Sequence, residues 1–77
     1  MRLTSYLSTP IGDGLQLHEE KIQNYWYASI RRGERDLMIG MSVYPLAAVN
    51  EVLACVALTE KNRATIRQIL NERTNRH

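Results

Sequence analysis

The stretch that decides the fold is residues 37–58, LMIGMSVYPLAAVNEVLACVAL, which is almost entirely apolar. Glu51 is its single charged residue, and Pro45 divides it into two shorter segments. Because proline is favoured at the first position of a helix, the sequence predicts a helix over residues 45–57. Residues 37–43 fit a strand or a short helix equally well, since short apolar runs do not distinguish the two.

The same stretch is long enough to cross a bilayer, which takes about 20 apolar residues. Asn50 and Glu51 lie inside it, however, and a charge near the centre of a membrane helix costs about 2.5–3.5 kcal/mol. Division at Pro45 into two core elements avoids this cost. We therefore expect two buried elements here and no membrane span.

The residues before this stretch are compatible with a first helix over residues 15–32. Asp13 would cap its start, and Gly33 fits the position that follows a helix. At 100° per residue, one arc of this helix would hold four apolar side chains: Leu15, Ile22, Trp26 and Ile30. This periodicity favours a helix.

A hairpin is the alternative for part of the same region. Tyr25, Trp26 and Tyr27 are strand-forming residues, and Gly33 lies where a turn could bring them back onto residues 37–39. A short hairpin or strand within residues 25–43 would make the chain α+β.

The C-terminal residues predict a final helix. Thr59 is a suitable N-cap, and Glu60 in the first turn complements the helix dipole. An apolar stripe follows at helical spacing: Ile66, Ile69 and Leu70. This helix and the preceding one resemble a helix-turn-helix unit over residues 45–75.

These elements predict one small, mainly helical domain spanning residues 1–77. We expect a bundle of three to four short helices, with residues 1–14 as an N-terminal segment and loop and residues 45–75 as a helix-turn-helix-like pair. A chain of 77 residues buries a small core and is usually supplemented by disulfides, a metal or a partner. Cys55 is the single cysteine, which excludes an internal disulfide, so we expect a homo-oligomer.

The sequence carries no catalytic or cofactor motif. It lacks a nucleophile elbow, a phosphate-binding glycine loop and a zinc-protease motif. Cys55, His18 and His77 do not have the paired spacing of a zinc site. We therefore expect no enzymatic activity, no small-molecule substrate, no cofactor and no metal. The lone cysteine and the absence of an apolar N-terminal signal predict a cytoplasmic protein.

Positive charge is concentrated at the C-terminus. Residues 1–58 carry five basic and six acidic side chains, whereas residues 59–77 carry five basic and two acidic ones. Arg67, Gln68 and Asn71 share one face of the final helix, and these residue types recognise base edges in the major groove. Three basic side chains flank this face as candidate phosphate contacts: Lys61, Arg63 and Arg76. The pattern predicts a small DNA-binding regulator.

A protein-binding module, such as an inhibitor or adaptor, is the second interpretation. Three consecutive aromatic residues cannot all be buried, so Tyr25 and Tyr27 are candidates for an exposed protein interface. Met38 and Met41 could add adaptable apolar surface. The partner would then be a larger protein rather than DNA.

Overall fold

Three successive hairpins occupy the first half of the protein. The computed structural model describes residues 6–75, as β1 (Tyr6–Gly12), β2 (Leu15–Ile22), β3 (Tyr25–Arg32), β4 (Arg35–Ser42), α1 (Pro45–Leu53) and α2 (Glu60–Thr74). The strands form one antiparallel sheet in the order β1-β2-β3-β4. The fold is therefore α+β, and the prediction of a mainly helical bundle is wrong.

The predicted helix over residues 15–32 is two strands joined by a tight turn. Leu15 and Leu17 are buried while Gln16 is exposed, which is the two-residue alternation of a strand. Gln23 ends the pattern with a φ of 56°, a left-handed conformation that interrupts any helix. Three of the four apolar residues of the predicted helical arc, Leu15, Trp26 and Ile30, face the core from these two strands, whereas Ile22 lies on the other face of the sheet.

The hairpin considered within residues 25–43 is confirmed as β3 and β4. Gly33 has a φ of 63° and lies in the turn between these strands, rather than after a helix. Most of the undecided segment 37–43 belongs to β4, which has a register shift opposite Ile30 and Arg31. The loop predicted after residue 8 is also wrong in part, because residues 9–12 belong to β1.

Helix α1 starts at Pro45 as predicted but ends at Leu53, before residue 57. It packs on β3 and β4, with Ala48, Val49 and Val52 buried. Gly40 makes this contact possible, because a Cβ at this position would overlap the carbonyl oxygen of Ala48. The helix backbone therefore rests directly on strand β4.

Helix α2 is correctly predicted in its cap and its apolar stripe. The Thr59 hydroxyl accepts a hydrogen bond from the Asn62 amide at 3.2 Å. Ile66 is fully buried, and Ile69 and Leu70 pack against the core as partly buried residues. At the other end Arg73 donates to both carboxylate oxygens of Glu19, at 2.8 and 3.1 Å. This ion pair ties α2 to the first hairpin.

The two helices cover one face of the sheet. The core between the layers consists of Ile11, Leu15, Leu17, Ala28, Ile30, Ala48, Val49, Val52, Leu58 and Ile66. Helix α1 lies over β3 and β4, whereas α2 contacts β1. The helix-turn-helix interpretation of residues 45–75 therefore finds no support in the fold, since both helices are held mainly by the sheet.

Candidate interaction surface

The sheet has a covered face, beneath the helices, and an open face on its other side. Leu17, Ala28 and Ile30 are buried on the covered face. Because side chains alternate along a strand, His18, Tyr27 and Ser29 lie on the open face. None of the helices among the described residues covers this second face.

One end of the open face is apolar. Its members are neighbours across β2, β3 and β4, and we call them the apolar patch: Ile22, Tyr25, Tyr27, Ile39 and Met41. Ile22 pairs with Tyr25 across one hairpin, and Tyr27 pairs with Met41 across the next. Ile39 is 54% exposed and Tyr25 49% exposed. Contiguous apolar surface of this kind marks interaction sites in soluble domains.

The other end of the open face is polar and internally paired. Asp36 accepts hydrogen bonds from Arg31 at 2.7 Å and from Ser29 at 3.1 Å. The ring of His18 lies 3.0 Å from a Glu20 carboxylate oxygen. The open face therefore combines an uncharged patch with charged groups that already have partners.

Both edges of the sheet carry features that oppose strand addition. At the β4 edge the Met41 amide donates to the carboxylate of Glu51 at 3.1 Å, which occupies a backbone donor. At the β1 edge Pro10 has no amide hydrogen, and the β1–β2 pairing shifts register between Pro10 and Gly12. Such features protect edge strands, so the open face is the more accessible surface.

The proposed base-reading residues lie together on the outer side of α2. Arg67, Gln68 and Asn71 are exposed. They are not packed against the sheet, and their side chains are accessible to a ligand. The structure thus groups these three residues as the spacing predicts.

The proposed phosphate contacts do not form a comparable group. The Arg63 guanidinium donates to the carbonyls of Leu53, Cys55 and Leu58, at 2.8, 3.0 and 3.2 Å, and it also pairs with Glu60. Arg63 is therefore a structural residue of the α1–α2 connection rather than a free cation. Lys61 is exposed, with its Nζ 3.7 Å from Asp13, and Arg76 lies outside the described residues.

A cavity of about 280 Å³ opens between the start of α1 and the end of α2. Its lining consists of Tyr6, Leu7, Glu19, Trp26, Pro45 and Arg73. The charged groups at this cavity, Glu19 and Arg73, already bind one another. The charged groups of the lining are therefore engaged with each other, and the rest of the lining is aromatic or apolar. Within residues 6–75, no three metal-ligating side chains come together.

Sequence reasoning identified part of the apolar patch. Tyr25 and Tyr27 lie on the open face as expected for an interface, and so does Met41. Met38, by contrast, lies on the covered face and packs against the core. The contribution of Ile39 was missed, although the alternation of residues 38–41 is the signal that separates Ile39 and Met41 from Met38.

Comparison with known proteins finds no matching family model, no similar curated protein and no similar solved structure. Functional inference for this chain therefore depends on its own surfaces. Over residues 6–75, neither helix has the length and apolar character that crossing a membrane requires.

Proposed function

We propose that this chain is a small protein-binding module and that its binding surface is the apolar patch. The observation that carries the proposal is the exposure of large side chains on a sheet face without helices, including Ile39 at 54% and Met41 at 46%. Aromatic residues and methionine are enriched at the centres of protein interfaces, where charged residues are depleted. The apolar patch has this composition.

The charge of the open face favours a protein over a nucleic acid. Platforms that stack single-stranded bases combine aromatic residues with a basic groove. Here Glu20 and Asp36 outnumber Arg31, and Arg31 is already paired with Asp36. Phosphate groups would therefore gain little from this face, whereas apolar protein side chains would gain burial.

Site-specific photo-crosslinking in cells tests the proposal. A photo-crosslinking amino acid replaces Ile39 in one protein and Gln68, on the outer side of α2, in a matched control. We expect a discrete protein adduct from position 39 that is lost when Met41→Lys is added, and none from position 68. Equal adducts at both positions, or none at position 39, would contradict the proposal.

DNA binding by α2 is a second candidate, supported by the joint exposure of Arg67, Gln68 and Asn71. Because Arg63 is engaged internally and Arg76 lies outside the described residues, Lys61 is left as an exposed phosphate contact, and Arg67, a proposed base contact, adds a second exposed cation. Binding would then weaken with salt at a log–log slope of about −2. Fluorescence anisotropy with a random duplex pool at low salt tests this, with Arg67→Ala as the variant.

A cytoplasmic setting and the lack of catalysis stay predictions.

A further inference from the structure

We infer that the occupant of the apolar patch is a second copy of this chain, with two sheets packed face to face about a two-fold axis. This inference rests on the proposed function, since it uses the same surface and names its partner. The dimer would be a sandwich in which each sheet has both faces covered, one by its own helices and the other by the sheet of the second copy. Such sheets pack about 10 Å apart, with inner side chains interdigitated.

The area of the open face is large enough to reach the lower bound for a specific dimer interface. Four strands about 4.8 Å apart and eight residues at about 3.4 Å each give a projected area of about 500 Å². Two copies would bury at least twice this area, about 1,000 Å², which is the lower bound for a specific interface. Protruding side chains such as Tyr25 and Ile39 raise the accessible area above its projection.

The charge pattern of the face is compatible with a copy of itself. The apolar patch itself carries no charged side chain, and the acidic group beside it is Glu20, the cross-strand neighbour of Tyr27. At the polar end Arg31 forms an ion pair with Asp36, and a Glu20 carboxylate oxygen lies within hydrogen-bond distance of the His18 ring. Burial in a symmetric interface therefore leaves these pairs intact, and a strongly charged partner would find no complementary field.

The alternative route to self-association, pairing of strand edges, is obstructed at both ends of the sheet. Glu51 occupies the Met41 amide at the β4 edge, and Pro10 interrupts the β1 edge. Face-to-face contact avoids both obstacles.

The small core gives a second copy a stabilising role. The fully buried large side chains are Leu17, Ile30, Ile66, Val49 and Val52, all on the covered side of the sheet or in its helices. A chain of 77 residues has little further apolar surface to bury by itself. On the open face, large side chains such as Tyr25, Ile39 and Met41 are still about half exposed, and a copy packed there would bury them.

Sedimentation velocity on the purified full chain over a range of micromolar concentrations is the test. We expect a monomer–dimer equilibrium, and we expect Ile39→Lys to weaken it at least about 100-fold, because a lysine would be buried without a partner. Gln68→Lys, which adds the same charge on the outer side of α2, should leave the dimer unchanged. Circular dichroism of each variant checks that the fold is retained.

A second measurement needs no variant. Mixing isotope-labelled and unlabelled wild-type chains should give intermolecular nuclear Overhauser effects from Ile39 and Met41 methyl groups to tyrosine rings. Their absence in a sample that sediments as a dimer would overturn the inference and exclude this face as the interface.

The remaining outcomes separate the inference from the proposed function. A monomer at all concentrations whose position 39 crosslinks to a different protein overturns the second copy and leaves the protein-binding proposal standing. A monomer without any adduct at position 39 overturns both. Binding of a single-stranded oligonucleotide that Ile39→Lys abolishes would also overturn both and assign the face to nucleic acid.

Discussion

Where Ala28 pairs with Gly40 beneath α1, the covered and open faces of the sheet differ in the size of their side chains. On the covered face Ala28 and Gly40 are small, so the backbone of α1 can approach β4. On the open face their strand neighbours Tyr27, Ile39 and Met41 are large. This difference indicates that the small residues lie where α1 packs on the sheet. Large exposed ones mark where a partner is expected.

Adding a side chain at Gly40 should destabilise the packing of α1 on the covered face more than any other change considered. We expect Gly40→Val to cost more than about 3 kcal/mol, since its side chain would overlap the Ala48 carbonyl and displace α1. A domain of this size rarely has more than about 3–5 kcal/mol in total, so the variant should lose cooperative unfolding. Circular dichroism during thermal unfolding measures this. Ile39→Val, on the open face of the same strand, is the control and should unfold cooperatively.

Truncation to alanine of one large aliphatic side chain on each face compares directly how much each face contributes to stability. Leu17→Ala, at a fully buried site, should lower the free energy of unfolding by about 3 kcal/mol. Ile39→Ala should cost less than about 1 kcal/mol in the monomer, because this side chain is already half exposed. Urea unfolding at protein concentrations below dimer formation measures both. Equal losses would show that the two faces are buried alike.

Helix α2 offers a smaller comparison, between its inner and outer arginines. Arg63→Ala should destabilise the protein by about 2 kcal/mol, since three carbonyl groups lose a charged donor. Arg67→Ala, at an exposed site, should change stability by less than about 0.5 kcal/mol. Both values come from urea unfolding. A neutral Arg63→Ala would contradict the structural role assigned to this residue.

The smallest expected effect is a gain in stability from a substitution on the buried side of α2. The side-chain oxygen of Asn62 is buried and has no hydrogen-bond partner among residues 6–75, which is a desolvation cost. We expect Asn62→Leu, which keeps the number and branching of the side-chain heavy atoms, to raise the unfolding free energy by about 1 kcal/mol. Thermal unfolding checks the sign, and Asn71→Leu on the exposed side of α2 serves as the control. A lower melting temperature for Asn62→Leu would indicate an unseen partner for this oxygen.

Local signals in the sequence predicted the C-terminal half of the fold well. Pro45 fixes the start of α1, and Thr59 fixes the start of α2, because both act within one turn of helix. The apolar stripe of α2 has a spacing that strands cannot produce. The segment after Leu53 was predicted as helix, and its residues instead form the connection that Arg63 holds.

The N-terminal half was predicted wrongly because its apolar residues satisfy two periods. Leu15 and Ile30 fit a helical face, yet they also face the core from neighbouring strands. Pairing between strands decides the matter, and pairing is not visible within a short window. The role of Arg63 was hidden for another reason: its carbonyl partners, at positions 53, 55 and 58, converge through the backbone turns between the helices, which residue types alone do not specify.

The contact between Arg73 and Glu19 spans most of the chain and has a consequence for the order of folding. Each strand pairs with its neighbour in sequence, and α1 follows β4 directly, so most contacts close over short loops. The docking of α2 on the first hairpin closes a loop of more than fifty residues, and loop entropy makes such closure slow. We expect the four-stranded sheet to form first and α2 to dock on it afterwards. During synthesis the four strands would therefore be able to pair before α2 is available to dock on the first hairpin.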